Sequence, residues 1–473
     1  GGSGWGQFDS GLAAISRAEH PLPKSREEGM VSRSDFPKDF VWGASTASYQ
    51  IEGAHDVDGR APSIWDAFSA EPGRVKNGDT GNVACDHYHR YREDVALMKA
   101  ASFGAYRFST SWSRVLPEGR GQPNEAGLDF YDRLVDELLR AGVSPWLCLY
   151  HWDLPLALHK AGLGWTSREI VPLFADYAGL LAKRLSDRVT HWATFNEPNM
   201  FTMLGYGAGV HAPGIRDRGA WLDAVHHVNL SHGAAVRRLR ADLPPGAQIG
   251  SVPNLQPARP ATDSDEDRAA AAKMDSSMNR GTADPVFLGQ YDPIMREWMG
   301  GRVKPGDEAA IYAPLDWLGL NHYSPTYAQA RANAFGFRNV DPPEGAETTL
   351  MGWHVAPEAF RDMLVETSKR YGVPVYVTEN GMADDVEPDA DGVVNDAARV
   401  SYLQRYLGAV LEARAAGADV RGYLVWSMLD NFEWAMGYGP RFGIVHVDYQ
   451  TLKRTPKASY HLLADLAGAK AAT

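Results

Sequence analysis

From about residue 31 onward, short runs of apolar, β-branched or aromatic residues alternate with longer stretches whose apolar positions recur at helical spacing, the signature of repeated βα units. Eight such runs stand out as strands: "FVWGAS" near 40, "AYRFST" near 105, "PWLCLYHW" near 145, "HWATFN" near 191, "IGSVPN" near 249, "WLGLNHY" near 317, "VPVYVTEN" near 373 and "GYLVWSML" near 422. Between them, "GLDFYDRLVDELLRAG" sets Leu128, Tyr131, Leu134, Val135, Leu138 and Leu139 on one helical stripe. "RVSYLQRYLGAVLEARAAG" repeats the pattern with Val400, Leu403, Leu407, Val410 and Leu411, and both patterns stop at a glycine. Runs this continuously apolar fit strands buried on both faces, and one-sided helices fit an outer ring. The pattern predicts an α/β fold: one (β/α)8 barrel with elaborated βα loops. The alternative is a doubly wound open sheet. That fold binds nucleotides at a glycine-rich first turn, whereas "GYGAGV" at 205 to 210 does not join a strand to a helix as the dinucleotide fingerprint requires.

At 473 residues the chain is long for one domain, but barrels grow by loop insertion, so a single domain remains allowed. With 44% hydrophobic and 22% charged residues it can bury a large core. A net charge of -12 with no long basic run excludes a nucleic-acid partner. No stretch reaches the roughly 18 apolar residues of a membrane span. Cys85 and Cys148, the two cysteines, sit in no C-x-x-C or Cys/His cluster, which points to reduced thiols in a cytoplasm. Residues 1 to 30, with their GGSG start, read as a tag, linker or extension that is not a signal peptide, with Met30 a candidate native start. The barrel is assigned to 31 to 473.

In a barrel of this kind the C-terminal strand ends form the active face. Glu197 ends the fourth run and Glu379 the seventh, each beside an asparagine, Asn196 and Asn380. A lone glutamate there would be an ordinary solvated or capping residue. Two on one rim match glycosidic bond cleavage, in which one carboxyl gives a proton and the other attacks or activates water. Every other strand end except the fifth also offers a group suited to sugar hydroxyls or ring faces: Gln50, Arg107, His151 with Trp152, Asn321 with Tyr323, and Trp426. Most of the 14 tryptophans must serve packing; Trp426, Trp434 and Trp353 are the ones singled out for a site. His87 and His89, two apart at a helix start, do not share a face as metal ligands would, and the adjacent His226 and His227 do no better. "RRLR" at 237 to 240 reads as a solvated helix face and "DSDEDR" at 263 to 268 as an exposed acidic loop.

"TFNEP" and "VTENG" resemble the two catalytic signatures of family 1 glycoside hydrolases, the β-glucosidase family, and "FVWGASTASYQIEG" resembles its N-terminal signature. "YRFSTSWSR", "YHWDLP", "LGLNHYSP" and "SMLDNFEWAMGYGPRFGIVHVDY" are similar to its core segments, so the likeness runs in order from about Phe36 to Tyr460. The resemblance implies a retaining enzyme with Glu197 as acid/base and Glu379 as nucleophile. It implies that Gln50, His151, Asn196, Trp426, Glu433 and Trp434 bind the nonreducing sugar, that Arg107 and Tyr323 steady the nucleophile, and that Trp353 stacks on the leaving-group side. Asn321 completes the supporting set. Substrates would be small β-glycosides or short β-linked oligosaccharides, with galactoside or fucoside preference as the alternative, and a sugar-binding barrel without turnover as the other class. No metal or cofactor is needed, and oligomeric state stays open. For the chemistry to run, Arg107 and Tyr323 should hold Glu379 down in pKa while the anionic neighbour holds Glu197 up.

Overall fold

The computed structural model describes residues 30–468, so the expectation for the N-terminal segment falls outside it except at Met30. All eight runs are strands: β1 Val41–Ser45, β2 Ala105–Ser109, β3 Ser144–Tyr150, β4 His191–Asn196, β5 Gln248–Val252, β6 Trp317–Asn321, β7 Val375–Glu379 and β8 Val420–Trp426. They pair in parallel, each with its sequence neighbours, and β1 closes onto β8 to complete a barrel. Closure leaves no exposed edge.

The inside of the barrel is filled by Ala105, Trp146, Cys148, Ala193, Val252, Trp317 and Leu424. Two indoles fit because small residues face them. A Cβ on Gly250 would fall 2.4 Å from the Trp317 ring, so that position on β5 accepts only hydrogen. These rings, like the fully buried Trp112, Trp165, Trp192 and Trp221, hold the fold rather than a ligand.

Outer helices bury one stripe against this wall. Helix Glu125–Ala141 buries Leu128, Tyr131, Leu134, Val135 and Leu138 and ends at Gly142, whose left-handed N–H caps the Leu138 and Leu139 carbonyls. Leu139, expected on the stripe, is exposed, because the buried face also takes Gly127 and Phe130 and so is centred away from it. Helix Ala397–Ala415 buries Leu403, Leu407 and Val410 but leaves Val400 and Leu411 at its edge, where Tyr402 and Tyr406 fill the interface instead. On helix Arg218–Asp242, Arg237, Arg238 and Arg240 face solvent around a buried Leu239, as expected.

One segment differs from its expectation. The acidic run at 263 to 268 is not a loop but opens helix Asp265–Asp275: Ser264 accepts the Asp267 N–H, and Asp265, Glu266 and Asp267 occupy the first turn, where carboxylates offset the helix dipole. This helix backs a small sheet on the barrel rim, in which Ala258–Pro260 pairs with Thr326–Ala330 and the latter with Phe337–Val340. Beyond β8 the chain is tied by a buried ionic knot. Asp430 accepts from Lys457, Arg441 and the Gly443 N–H, which fixes the segment leading to Glu433. No helix among the described residues is long and apolar enough to cross a membrane.

Candidate active site

Glu197 follows the last residue of β4 in a left-handed conformation (φ 48°) and precedes the short helix Pro198–Thr202. Proline at the first helical position starts that helix with a preset φ, and the Glu197 N–H is held by the Val252 carbonyl at 2.6 Å. Trp152 and Trp434 are also left-handed. Bulky residues hold such conformations only where their surroundings enforce them, which marks sites of function. All three lie on the C-terminal rim.

Glu379 ends β7 and points at Arg107 from within β2. The guanidinium donates to one carboxylate oxygen at 2.8 Å, and the Tyr323 hydroxyl donates to the other at 2.8 Å. Glu197 has no cation on it; its Oε1 accepts from the amides of Asn321 and Asn254, each at 2.9 Å. Asn196 joins the two halves, accepting on Oδ1 from both Arg107 and Asn321. Since that oxygen faces donors, Nδ2 must face His151, and it donates to Nε2 at 3.0 Å. The imidazole hydrogen is thereby assigned to Nδ1, and burial keeps the ring neutral by pushing its pKa well below the ordinary value.

Gln50 reaches the same bowl. Its Nε2 donates to the Phe432 carbonyl at 2.8 Å and approaches Glu433 Oε2 at 3.5 Å. Rings wall the bowl: Trp434 lies against Trp152 with centroids 4.7 Å apart, Trp426 against His151 at 5.7 Å, and Trp353 against Tyr323 at 5.1 Å. Every residue singled out from the sequence therefore falls in one connected cluster.

Several polar atoms of this cluster are buried without a protein partner, among them Gln50 Oε1, His151 Nδ1 and Asn254 Oδ1. Each such group costs about 1–3 kcal/mol unless something bonds to it. An acceptor, a donor and an acceptor left open in one cluster suit a ligand rich in hydroxyls, which both give and take hydrogen bonds.

Electrostatics separate the carboxyls. Burial first, then the charge of Glu379, pushes Glu197 up to about 8, against the pull of Asn321, Asn254 and Arg107. Glu433 rises to about 8 through burial and the charges of Glu379 and Glu197. For Glu379 the expectation of a depressed pKa holds only in part. Arg107, Tyr323 and Asn321 do lower it, but burial outweighs them and leaves it above the ordinary carboxyl value. With the sole cation and a hydroxyl donor on its oxygens, Glu379 is nonetheless the carboxyl of the three that ionises first.

The sequence missed Asn254. The fifth run was set aside as offering nothing, yet its last residue holds Glu197; the amide at a strand end was the available signal. The histidines set aside as metal ligands have other partners: His87 bonds Asp94, His89 bonds Asp86, and His226 bonds Asp307 and Tyr291.

A parallel eightfold barrel with two buried carboxyls in opposed environments on its C-terminal rim is the frame of a glycoside-cleaving enzyme. Residues 32–472 match the sequence model of glycosyl hydrolase family 1, and the chain belongs to that family. It is 44% identical over 433 residues to beta-glucosidase A of Thermotoga maritima, covering 90% of this chain and 96% of that protein. It is 43% identical over 450 residues to a bifunctional beta-D-glucosidase/beta-D-fucosidase of Bifidobacterium breve, covering 90% and 96%. The crystal structure of a psychrophilic beta-glucosidase from Micrococcus antarcticus superimposes with a TM-score of 0.88 at 44% identity, covering 93% of this chain and 99% of that one.

Proposed function

We propose that this glycoside hydrolase is a retaining β-glucosidase acting on terminal nonreducing β-glucosyl residues of small glycosides and short β-linked oligosaccharides. The observation that carries the reading is the asymmetry of the acid pair. Glu379 is held ready to ionise by Arg107 and Tyr323, whereas Glu197 accepts hydrogen bonds from neutral amides and feels the neighbouring anion more strongly than the more distant Arg107. Glu379 attacks the anomeric carbon while Glu197 protonates the departing oxygen. Once the ester to Glu379 forms, the charge that raised Glu197 is gone, and the now acidic Glu197 ionises and takes a proton from the water that completes hydrolysis. Asn321 holds Glu197 directly and reaches the Glu379 side through Asn196 and Arg107.

Gln50, His151, Asn196 and Glu433 take the sugar hydroxyls, Trp426 and Trp434 its C–H faces, and Trp353 the leaving group. The two free, buried cysteines fit the reducing cytoplasm expected from the sequence. The names of the relatives favour glucosides, and the Bifidobacterium protein keeps β-fucosides as the second reading. A panel of nitrophenyl β-glycosides compared by kcat/KM tests this. The glucoside is expected to react fastest; a faster galactoside or fucoside would reassign the specificity, and no turnover on any would return the non-catalytic class.

The pH dependence follows from the same asymmetry. The reactive form of the free enzyme has Glu379 ionised and Glu197 protonated, so kcat/KM falls below the pKa of Glu379 and above that of Glu197. The alkaline limb is expected near 8, and the acid limb above the usual carboxyl range. With Glu197→Gln and an activated substrate the alkaline limb should vanish; its survival would show that another group carries it.

A further inference from the structure

Thr378 stands one residue before Glu379 and is fully buried. Its hydroxyl donates to Asn321 Oδ1 on β6 at 2.7 Å. That direction is forced by a relay of groups with fixed roles. Arg107 has donors only, so the Asn196 atom it meets is the oxygen. That oxygen also requires a donor from Asn321, whose Nδ2 serves both Asn196 and Glu197 Oε1. Turning the Asn321 amide over would press its oxygen against two acceptors. Asn321 Oδ1 therefore faces Thr378 and needs its hydrogen. Room for this contact comes from Gly319, where a Cβ would fall 2.7 Å from Thr378 Oγ1.

We propose that Thr378 is a positioning residue for Glu197: its hydroxyl locks the Asn321 amide in the orientation that serves the Glu197 carboxylate during the second half of the reaction. The inference rests on the acid/base role proposed for Glu197. In that second half a water O–H gives its proton to ionised Glu197, the water oxygen bonds to the anomeric carbon, and the bond from that carbon to Glu379 breaks with its electron pair returning to the carboxylate. The Asn321 N–H is among the groups that favour the ionised form of Glu197. Without the hydroxyl, Asn321 Oδ1 becomes a buried acceptor with no partner, the amide re-pairs, and Glu197 loses a donor when it must act as base. Protonated Glu197, the form needed in the first half, is not disfavoured.

The test uses dinitrophenyl β-glucoside, whose leaving group departs without protonation so that the second half limits kcat. In Thr378→Val, kcat at pH 6 is expected to fall about tenfold, the worth of one buried hydrogen bond, and the alkaline limb of kcat/KM, read on an alkyl β-glucoside whose departure needs the proton, to move to higher pH. Azide, which needs no base, should restore turnover with β-glucosyl azide as product, and Thr378→Ser should behave as the unaltered enzyme. A loss that azide does not relieve, an unmoved alkaline limb, or a serine variant as impaired as the valine one would overturn the inference. Thr378→Ala removes the same donor with less bulk and carries the same readings should the valine form not fold. Glu197→Ala, assayed in parallel, must also yield β-glucosyl azide; its failure would count against the proposed roles of the pair rather than against Thr378.

Discussion

Glu379→Gly is expected to lose hydrolysis by at least about ten-thousandfold, the scale of removing a group that forms the covalent bond, and to regain cleavage of an activated β-glucoside when azide is added. The variant leaves Arg107 and the Tyr323 hydroxyl facing the space that the carboxylate filled. A guanidinium buried without its anion is costly, so a small anion is drawn into that gap. From there azide attacks the anomeric carbon on the face opposite the leaving group, and the product is the α-glucosyl azide. Recovery of the β-azide from this variant would place the nucleophile elsewhere.

The second large effect concerns Glu433. Glu433 is half-buried, approached by Gln50, and acted on by Glu379 and Glu197 with no cation among its neighbours. Such a group serves two neighbouring hydroxyls of a neutral sugar. A 6-phosphate, carrying about -1.5 to -2 charges, would lie beside a protonated Glu433 that offers it one donor and no cation to offset its charge. Burying such an ion without a partner charge costs several kcal/mol, so the unaltered enzyme should prefer nitrophenyl β-glucoside over its 6-phosphate by about a thousandfold in kcat/KM. Glu433→Ala should cost a similar factor on the neutral substrate, and the loss should appear in kcat as well as KM because hydroxyl contacts tighten toward the transition state. Equal rates on the two substrates, or a loss confined to KM, would remove Glu433 from the sugar site.

The barrel was legible because its strands are buried on both faces, which writes a nearly unbroken apolar run wherever one occurs. Glu197 and Glu379 were legible because such runs end on the face where a barrel places its chemistry. What the sequence hid depends on contacts between elements. Asn254 looks like any polar residue after a strand until β5 and β4 lie side by side, and only pairing of β7 with β6 brings Thr378 to Asn321. The small rim sheet escaped notice because its strands are three to five residues long and largely half-exposed, too short for alternation to register. The acidic run at 263 to 268 looked like a solvated loop because carboxylates that favour water also favour the first turn of a helix. Leu139 shows the limit of stripe counting: spacing selects a face, but the neighbouring element decides which edge of that face is covered.

The account turns on Glu379 forming a bond to the sugar, and dinitrophenyl 2-deoxy-2-fluoro-β-glucoside tests this directly. The fluorine slows both halves of the reaction, while the good leaving group restores the first, so the glycosyl-enzyme accumulates. Peptide mapping by mass spectrometry is expected to find one fluoroglucosyl group per chain, on the peptide containing Glu379, with activity returning as the ester turns over. A fluoroglucosyl group on Glu197 or Glu433, or no adduct from an enzyme that still hydrolyses β-glucosides, would contradict it.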